Sequence, residues 1–257
     1  MLLWNTHNPF RSCLVFDDGY CVLWDYQESN HYVESNYLYI DEVRTGASMF
    51  YFAKGDKVKS AAENFSDQVG QAFKNKGKHS KRLAIDKIML DGFKSLENRD
   101  FKIENGEKIM EHARSIKSSE EIKAMRCSIS ACETSMHIME NKTKPGMTEN
   151  DIWSILHSEN IKRGGEWIET RLLSSGTKTN PWFQECGSRV LQNNEIVAFD
   201  TDLVGCYSIC TDISRTWWIG DQEPTNEMKQ DYRIALDHIQ QNLSLIHISE
   251  PTRRKHI

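Results

Sequence analysis

The sequence predicts an α+β protein of two domains: a smaller N-terminal α/β domain, then a second α+β domain that stops early. Three observations predict it. Short apolar strands alternate with an amphipathic helix before residue 110. Two long helical patterns occupy the stretch from Ser118 to Gly165. Beyond Gly165 the pattern changes to strands and loops, and two of those strands carry acids among apolar residues. A chain of 257 residues suffices for one large domain or two ordinary ones.

The first strands are Leu14-Val15-Phe16 and Tyr20-Cys21-Val22-Leu23-Trp24. They flank Asp17-Asp18-Gly19, and an Asp-Gly pair between apolar runs is a strong hairpin signal. The strand pattern already begins at Trp4, as if the chain enters mid-sheet, so the N-terminus is expected to be cut. Residues 61–73 have helical spacing at Ala62, Phe65, Val69 and Ala72. Leu83-Ala84-Ile85 is a short apolar strand. The domain boundary is expected between 110 and 118, giving domains 1–112 and 113–242.

Ser118 followed by Glu121 fits a capping box. Apolar residues then recur at Ile122, Met125, Ile129, Cys132, Met136 and Met139, one face of a long helix ended by Pro145-Gly146. Thr148-x-x-Asp151 opens a second helix with Ile152, Ile155, Leu156 and Ile161 expected inward, stopped by Gly164-Gly165. Residues 196–203 form an apolar strand interrupted by two acids. Gly205 permits a turn, and residues 207–219 return as a second strand. A last helical pattern runs through Tyr232, Ile234, Ala235, His238 and Ile239. Residues 243–257 interrupt it and read as the translation of a sequencing adapter, so this tail is expected to be non-native.

Composition narrows the function classes. Hydrophobic residues make up 39% and charged residues 27%, the balance of a soluble globular protein. No apolar run approaches the roughly 20 residues a membrane span needs. Met1-Leu2-Leu3-Trp4 passes at once into polar residues, so no secretory signal is expected. The net charge is −5 with both signs mixed, which argues against nucleic acid as a partner. The basic stretch Lys74, Lys76, Lys78, His79, Lys81 and Arg82 reads as a solvated loop. Seven cysteines, an odd number, read as reduced thiols in a cytoplasmic protein. Cys206 and Cys210 are expected to share a strand face for core packing, since a structural zinc site needs four ligands and no second pair exists.

The chemistry lies in Asp200-Thr201-Asp202 and the returning Thr211-Asp212-Ile213-Ser214-Arg215-Thr216. Residues two apart on a strand share a face, so Asp200 and Asp202 project together, and the hairpin brings Asp212 alongside. Converging carboxylates among apolar strands need something positive, because bare buried charge costs many kcal/mol. Hard oxygen donors suit divalent iron, manganese, zinc or magnesium. The plain alternative is that one or two of these acids face solvent or pair with Arg215.

A strand carrying Asp, a hairpin return, then Asp-Ile-Ser-Arg-Thr resembles the metal-binding hairpin of the creatinase/M24 "pita-bread" superfamily. The superfamily's peptidases carry two aspartates eleven apart, whereas the position eleven before Asp212 is Thr201. Acids on both sides of Thr201 resemble instead the dimethylsulfoniopropionate lyases of that superfamily. Residues 3–11, 122–127, 159–171 and 179–187 share the likeness, which covers nearly all of residues 1–242. The peptidases' substrate-binding His after a Ser-Gly turn is missing: Ser175-Gly176 leads to Thr177-Lys178-Thr179-Asn180-Pro181-Trp182. Trp182 and Phe183 would suit a sulfonium cation through cation–π contact, or else simply pack.

The resemblance implies a creatinase-like N-terminal domain and an incomplete pita-bread domain. It implies a metal-dependent carbon–sulfur lyase, with Asp200, Asp202 and Asp212 as metal ligands and iron the foremost metal, zinc or manganese being possible. It also implies a homodimer, with residues 4–11 near the partner's site. Family members complete the site with a His and two Glu from later segments, and a later Asp serves as the general base, all expected beyond residue 242. The chain as written is therefore expected to bind metal poorly and to be inactive. An Xaa-Pro peptidase or amidinohydrolase of the same fold, or a non-catalytic homologue, is the competing reading.

Overall fold

The computed structural model describes residues 11–25 and 39–248. The chain divides into two compact units, Met1–Ser119 and Glu120–Ile257. The strand expected to begin at Trp4 lies largely outside the described residues.

In the first unit, β1 (Ser12–Val15) pairs antiparallel with β2 (Cys21–Asp25), and β2 pairs parallel with β3 (Glu42–Thr45). The Asp-Gly turn forms where the sequence puts it. Gly19, at φ 85°, donates its N–H to the Phe16 carbonyl, and Asp18 accepts from the Tyr20 N–H. A short helical turn (Tyr51–Lys54) leads towards α1 (Val58–Asn75). The four positions with helical spacing, Ala62, Phe65, Val69 and Ala72, are all buried. They pack in one core with Val22, Trp24, Leu96 and Phe101. The Trp24 indole is wholly buried and its Nε1–H donates to Gln68 Oε1 at 2.8 Å, so its polar edge is satisfied. β4 (Arg82–Ile85) and β5 (Lys102–Asn105) pair in parallel, with α2 (Leu90–Glu97) as the crossover between them. α3 (Glu107–Ser115) follows.

The second unit contains α4 (Ser119–Lys142), α5 (Glu149–Lys162) and a sheet of β6 (Leu173–Ser175), β7 (Glu195–Val204) and β8 (Cys210–Ile219). The sheet is ordered β6-β7-β8, and both pairings are antiparallel. A last helix, α6, spans Asn226–Ile248. Thr148 caps α5: its hydroxyl accepts the Asp151 N–H at 3.1 Å, while Asp151 accepts the Thr148 N–H at 2.8 Å. The core joins Cys132, Met136 and Met139 of α4 and Ile152 and Leu156 of α5 to Leu173, Val197, Phe199 and Leu203 of the sheet.

Several details differ from the sequence reading. Ile122 and Ile129 of α4 and Ile161 of α5 are exposed. The buried face of α4 runs instead through Ser128, Ala131, Cys132, Ser135, Met136 and Met139. Its small members let the helix approach the sheet closely: a Cβ on Gly205 would collide with the Ser128 hydroxyl. The return strand begins at Cys210, not at 207, because Tyr207 and Ser208 take left-handed φ values of 64° and 56° within the turn. Cys206 is consequently buried in the turn while Cys210 is exposed at the strand start, so the two thiols do not share a strand face. α6 continues past Leu243 to Ile248, and Tyr232, Ile234, His238 and Ile239 on it are all exposed. Among the described residues, no helix is long and apolar enough to cross a membrane.

Candidate metal centre

The pleat of β7 separates two sets of side chains. Val197, Phe199, Thr201 and Leu203 are buried, while Asp200 and Asp202 alternate with them on the opposite face and are half-buried. β8 lies antiparallel with Asp202 directly opposite Asp212 and Asp200 opposite Ser214. Side chains so paired stand roughly 5 Å apart at Cβ, and like charges in that position repel. The three aspartates named from the sequence thus come together on one face.

Their electrostatics carry the mark of that crowding. Burial pushes the Asp212 carboxyl above the ordinary carboxylate range, and the charges of Asp200 and Asp202 and a hydrogen bond shared with Asp200 push it further. A hydrogen bond between two carboxyls requires one of them to hold a proton. Asp200 also accepts from the Ser214 hydroxyl at 2.7 Å. The alternative ion pair with Arg215 is not made. Arg215 stands opposite Phe199, in register with the core face, and donates to the Ser214 carbonyl at 2.8 Å.

Two acids were missed in the sequence, and they lie beside Cys210, the thiol read there as core packing. The segment before β6 runs beside β7, where the Glu169 N–H donates to the Asp202 carbonyl at 2.9 Å and the Glu166 N–H to the Val204 carbonyl at 2.8 Å. The Cys210 thiol is pushed up by burial and then by the charges of Glu169, Asp202 and Glu166. Glu166 and Glu169 stand three apart, a spacing that gives no strand-face signal, so only the register could reveal them.

Among the described residues, no group of three or more His, Cys, Asp and Glu side chains is closed tightly enough to hold a metal ion. The three aspartates therefore do not close a site by themselves. Their donor set nonetheless fits a divalent cation: hard oxygens, mutually repelling, with every influence on Asp212 opposing its charge.

Trp182 and Phe183 lie on the loop between the 3-10 turn Gly176–Thr179 and β7. Their ring centroids are 6.4 Å apart and tilted at 50°. Phe183 is 77% exposed and holds a φ of 70°, while Trp182 is half-buried.

Residues 123–253 match the model of metallopeptidase family M24. The chain belongs to that family. It is 53% identical over 251 residues to dimethylsulfoniopropionate lyase DddP of Roseobacter denitrificans, covering 96% of this chain and 56% of the relative. To the DddP of Roseovarius nubinhibens it is 51% identical over 265 residues, covering 100% of this chain and 59% of the relative. The chain thus spans somewhat more than half the length of the curated relatives it matches. Among solved structures, the X-Pro aminopeptidase of Thermotoga maritima matches with a TM-score of 0.67 at 20% identity, over 86% of this chain and 56% of that one. The prolidase of Pyrococcus horikoshii matches with a TM-score of 0.69 at 15% identity, over 88% and 59%. At such identities these two establish the M24 fold and nothing of activity.

Proposed function

We propose that this M24 chain carries the aspartate wall of a divalent-metal site in a dimethylsulfoniopropionate lyase. The observation that carries the proposal is the β7–β8 register, which sets Asp202 opposite Asp212 with Asp200 on the same face. The likeness to two proteins named as DddP at about half identity supports the substrate. A bound divalent metal would supply Lewis acidity towards the substrate carboxylate, lowering the pKa of the neighbouring C–H. Asp200, Asp202 and Asp212 would hold it. Iron is the proposed metal, and the all-oxygen donor set equally suits manganese or zinc.

The reaction is a β-elimination. A protein base removes the proton α to the carboxylate, the electron pair forms the C=C bond, and the C–S bond breaks with its electrons going to sulfur. Acrylate and dimethyl sulfide leave, and the base retains the proton. The exposed Phe183 and its neighbour Trp182 would meet the sulfonium end through cation–π attraction. A homodimer and a cytoplasmic setting complete the proposal. The family resemblance supports the first, and seven free cysteines, four of them buried, support the second.

The test is a chimera in which this chain replaces the matching stretch of the Roseobacter denitrificans relative. Dimethyl sulfide release, measured by headspace gas chromatography, is expected and should vanish in Asp200→Asn, Asp202→Asn and Asp212→Asn. A folded chimera that releases none, or that cleaves Xaa-Pro dipeptides instead, overturns the proposal.

A further inference from the structure

The segment carrying Trp182 and Phe183 is held at both stems by a single side chain. Glu149 is the first residue of α5, and it is fully buried. One carboxylate oxygen, Oε1, accepts both the Ser175 N–H and the Ser175 hydroxyl at 2.9 Å. The other, Oε2, accepts Lys178 Nζ at 2.6 Å and the Gly187 N–H at 3.1 Å. Ser175 ends β6 where the loop departs, and Gly187 lies where it returns. The backbone repeats the clasp, since the Glu149 N–H donates to the Arg189 carbonyl and the Asn150 N–H to the Gly187 carbonyl, both at 3.0 Å. Lys178 links the loop to itself by donating to the Glu185 carbonyl at 2.8 Å.

Four donors on one buried carboxylate are more than charge balance with Lys178 requires. The arrangement closes residues 176–187 into a loop whose ends cannot separate without leaving a buried charge short of partners. A loop tied at its base samples fewer conformations, so the aromatic pair on it is presented in fewer places. Ser175 extends the clasp: its hydroxyl accepts from Arg189 Nη1 at 2.5 Å, and Arg189 pairs with Glu195 at the start of β7.

We infer that Glu149 is a positioning residue that fixes the 176–187 loop and thereby sets where Trp182 and Phe183 stand. Its bearing on substrate rests on the proposed cation-binding role of those two rings, while its bearing on the loop does not.

The test labels the chain with fluorotryptophan and follows it by fluorine NMR, with the Trp182 signal assigned by its loss in Trp182→Phe. In Glu149→Gln the Trp182 signal is expected to shift or broaden while those of Trp24 and Trp153 stay in place. Amide exchange across 176–187 should quicken about tenfold or more, with the α4 core unchanged. An unchanged Trp182 signal, or all tryptophan signals moving together, overturns the inference. Should Glu149→Gln fail to fold, Lys178→Met decides. It removes one donor only, and a smaller but equally selective Trp182 shift is expected; none overturns the inference. Adding dimethylsulfoniopropionate to the fluorotryptophan-labelled chimera with the Roseobacter denitrificans relative separates the two readings. If the Trp182 signal ignores it while still responding selectively to Glu149→Gln, the cation-binding role fails and the positioning role stands.

Discussion

The two faces of the β7–β8 hairpin are one residue apart in sequence and opposite in physical character. On one face Val197, Phe199 and Leu203 are buried against α4 and α5. On the other, Asp200, Asp202 and Asp212 come together, and burial and then the charges of the first two raise the cost of ionising Asp212. The strand is thus stabilised by its odd-numbered residues and burdened by its even-numbered ones. The proposed metal site places chemistry on the burdened face, where the core face fixes the geometry of the acids.

That contrast can be broken from either side. Phe199→Ala strikes the core face and is expected to destabilise the second unit by about 3–5 kcal/mol, read from the denaturant midpoint. Gly205→Ala tests how closely α4 approaches the hairpin. Its methyl meets the Ser128 hydroxyl, which itself donates to the Ile209 carbonyl at 2.9 Å, so a loss of about 1–3 kcal/mol is expected. Asp212→Asn should act with the opposite sign and the smallest size. The folded-state pKa of Asp212 is raised, so wild-type stability declines as pH climbs from the unfolded carboxylate value of about 4 through the folded one. The metal-free Asn variant should therefore melt above wild type at pH 7 and equal to it near pH 3. Because Asp212 is exposed, the gain should stay below about 1 kcal/mol. A loss of stability at pH 7 would mean that the carboxylates are not crowded.

The same contrast governs how much was legible in the sequence. Period-two alternation through Phe199, Asp200, Thr201 and Asp202 gave the faces, and the Asp-Ile-Ser-Arg-Thr return gave the third acid, because both depend only on local pleat. Register was not legible. It alone brings Glu166 and Glu169 beside the acids. Helix periodicity found Cys132, Met136 and Met139 but misplaced Ile122 and Ile129. Apolar identity cannot tell where along a helix the sheet begins, whereas the small residues Ser128, Ala131 and Ser135 mark the actual contact. Glu149 passed unnoticed because a glutamate beside a cap reads as a solvated helix start, and its four partners come from residues 175–187, remote in sequence.

The assignment of the even-numbered face to a divalent metal is tested most directly by titrating the chain with Mn(II) and following free ion by electron paramagnetic resonance. Weak but saturable uptake is expected for the wild-type chain, abolished when Asp200, Asp202 and Asp212 are together replaced by Asn and unaltered by Glu111→Gln on α3. Uptake by the triple variant equal to that of wild type would contradict it.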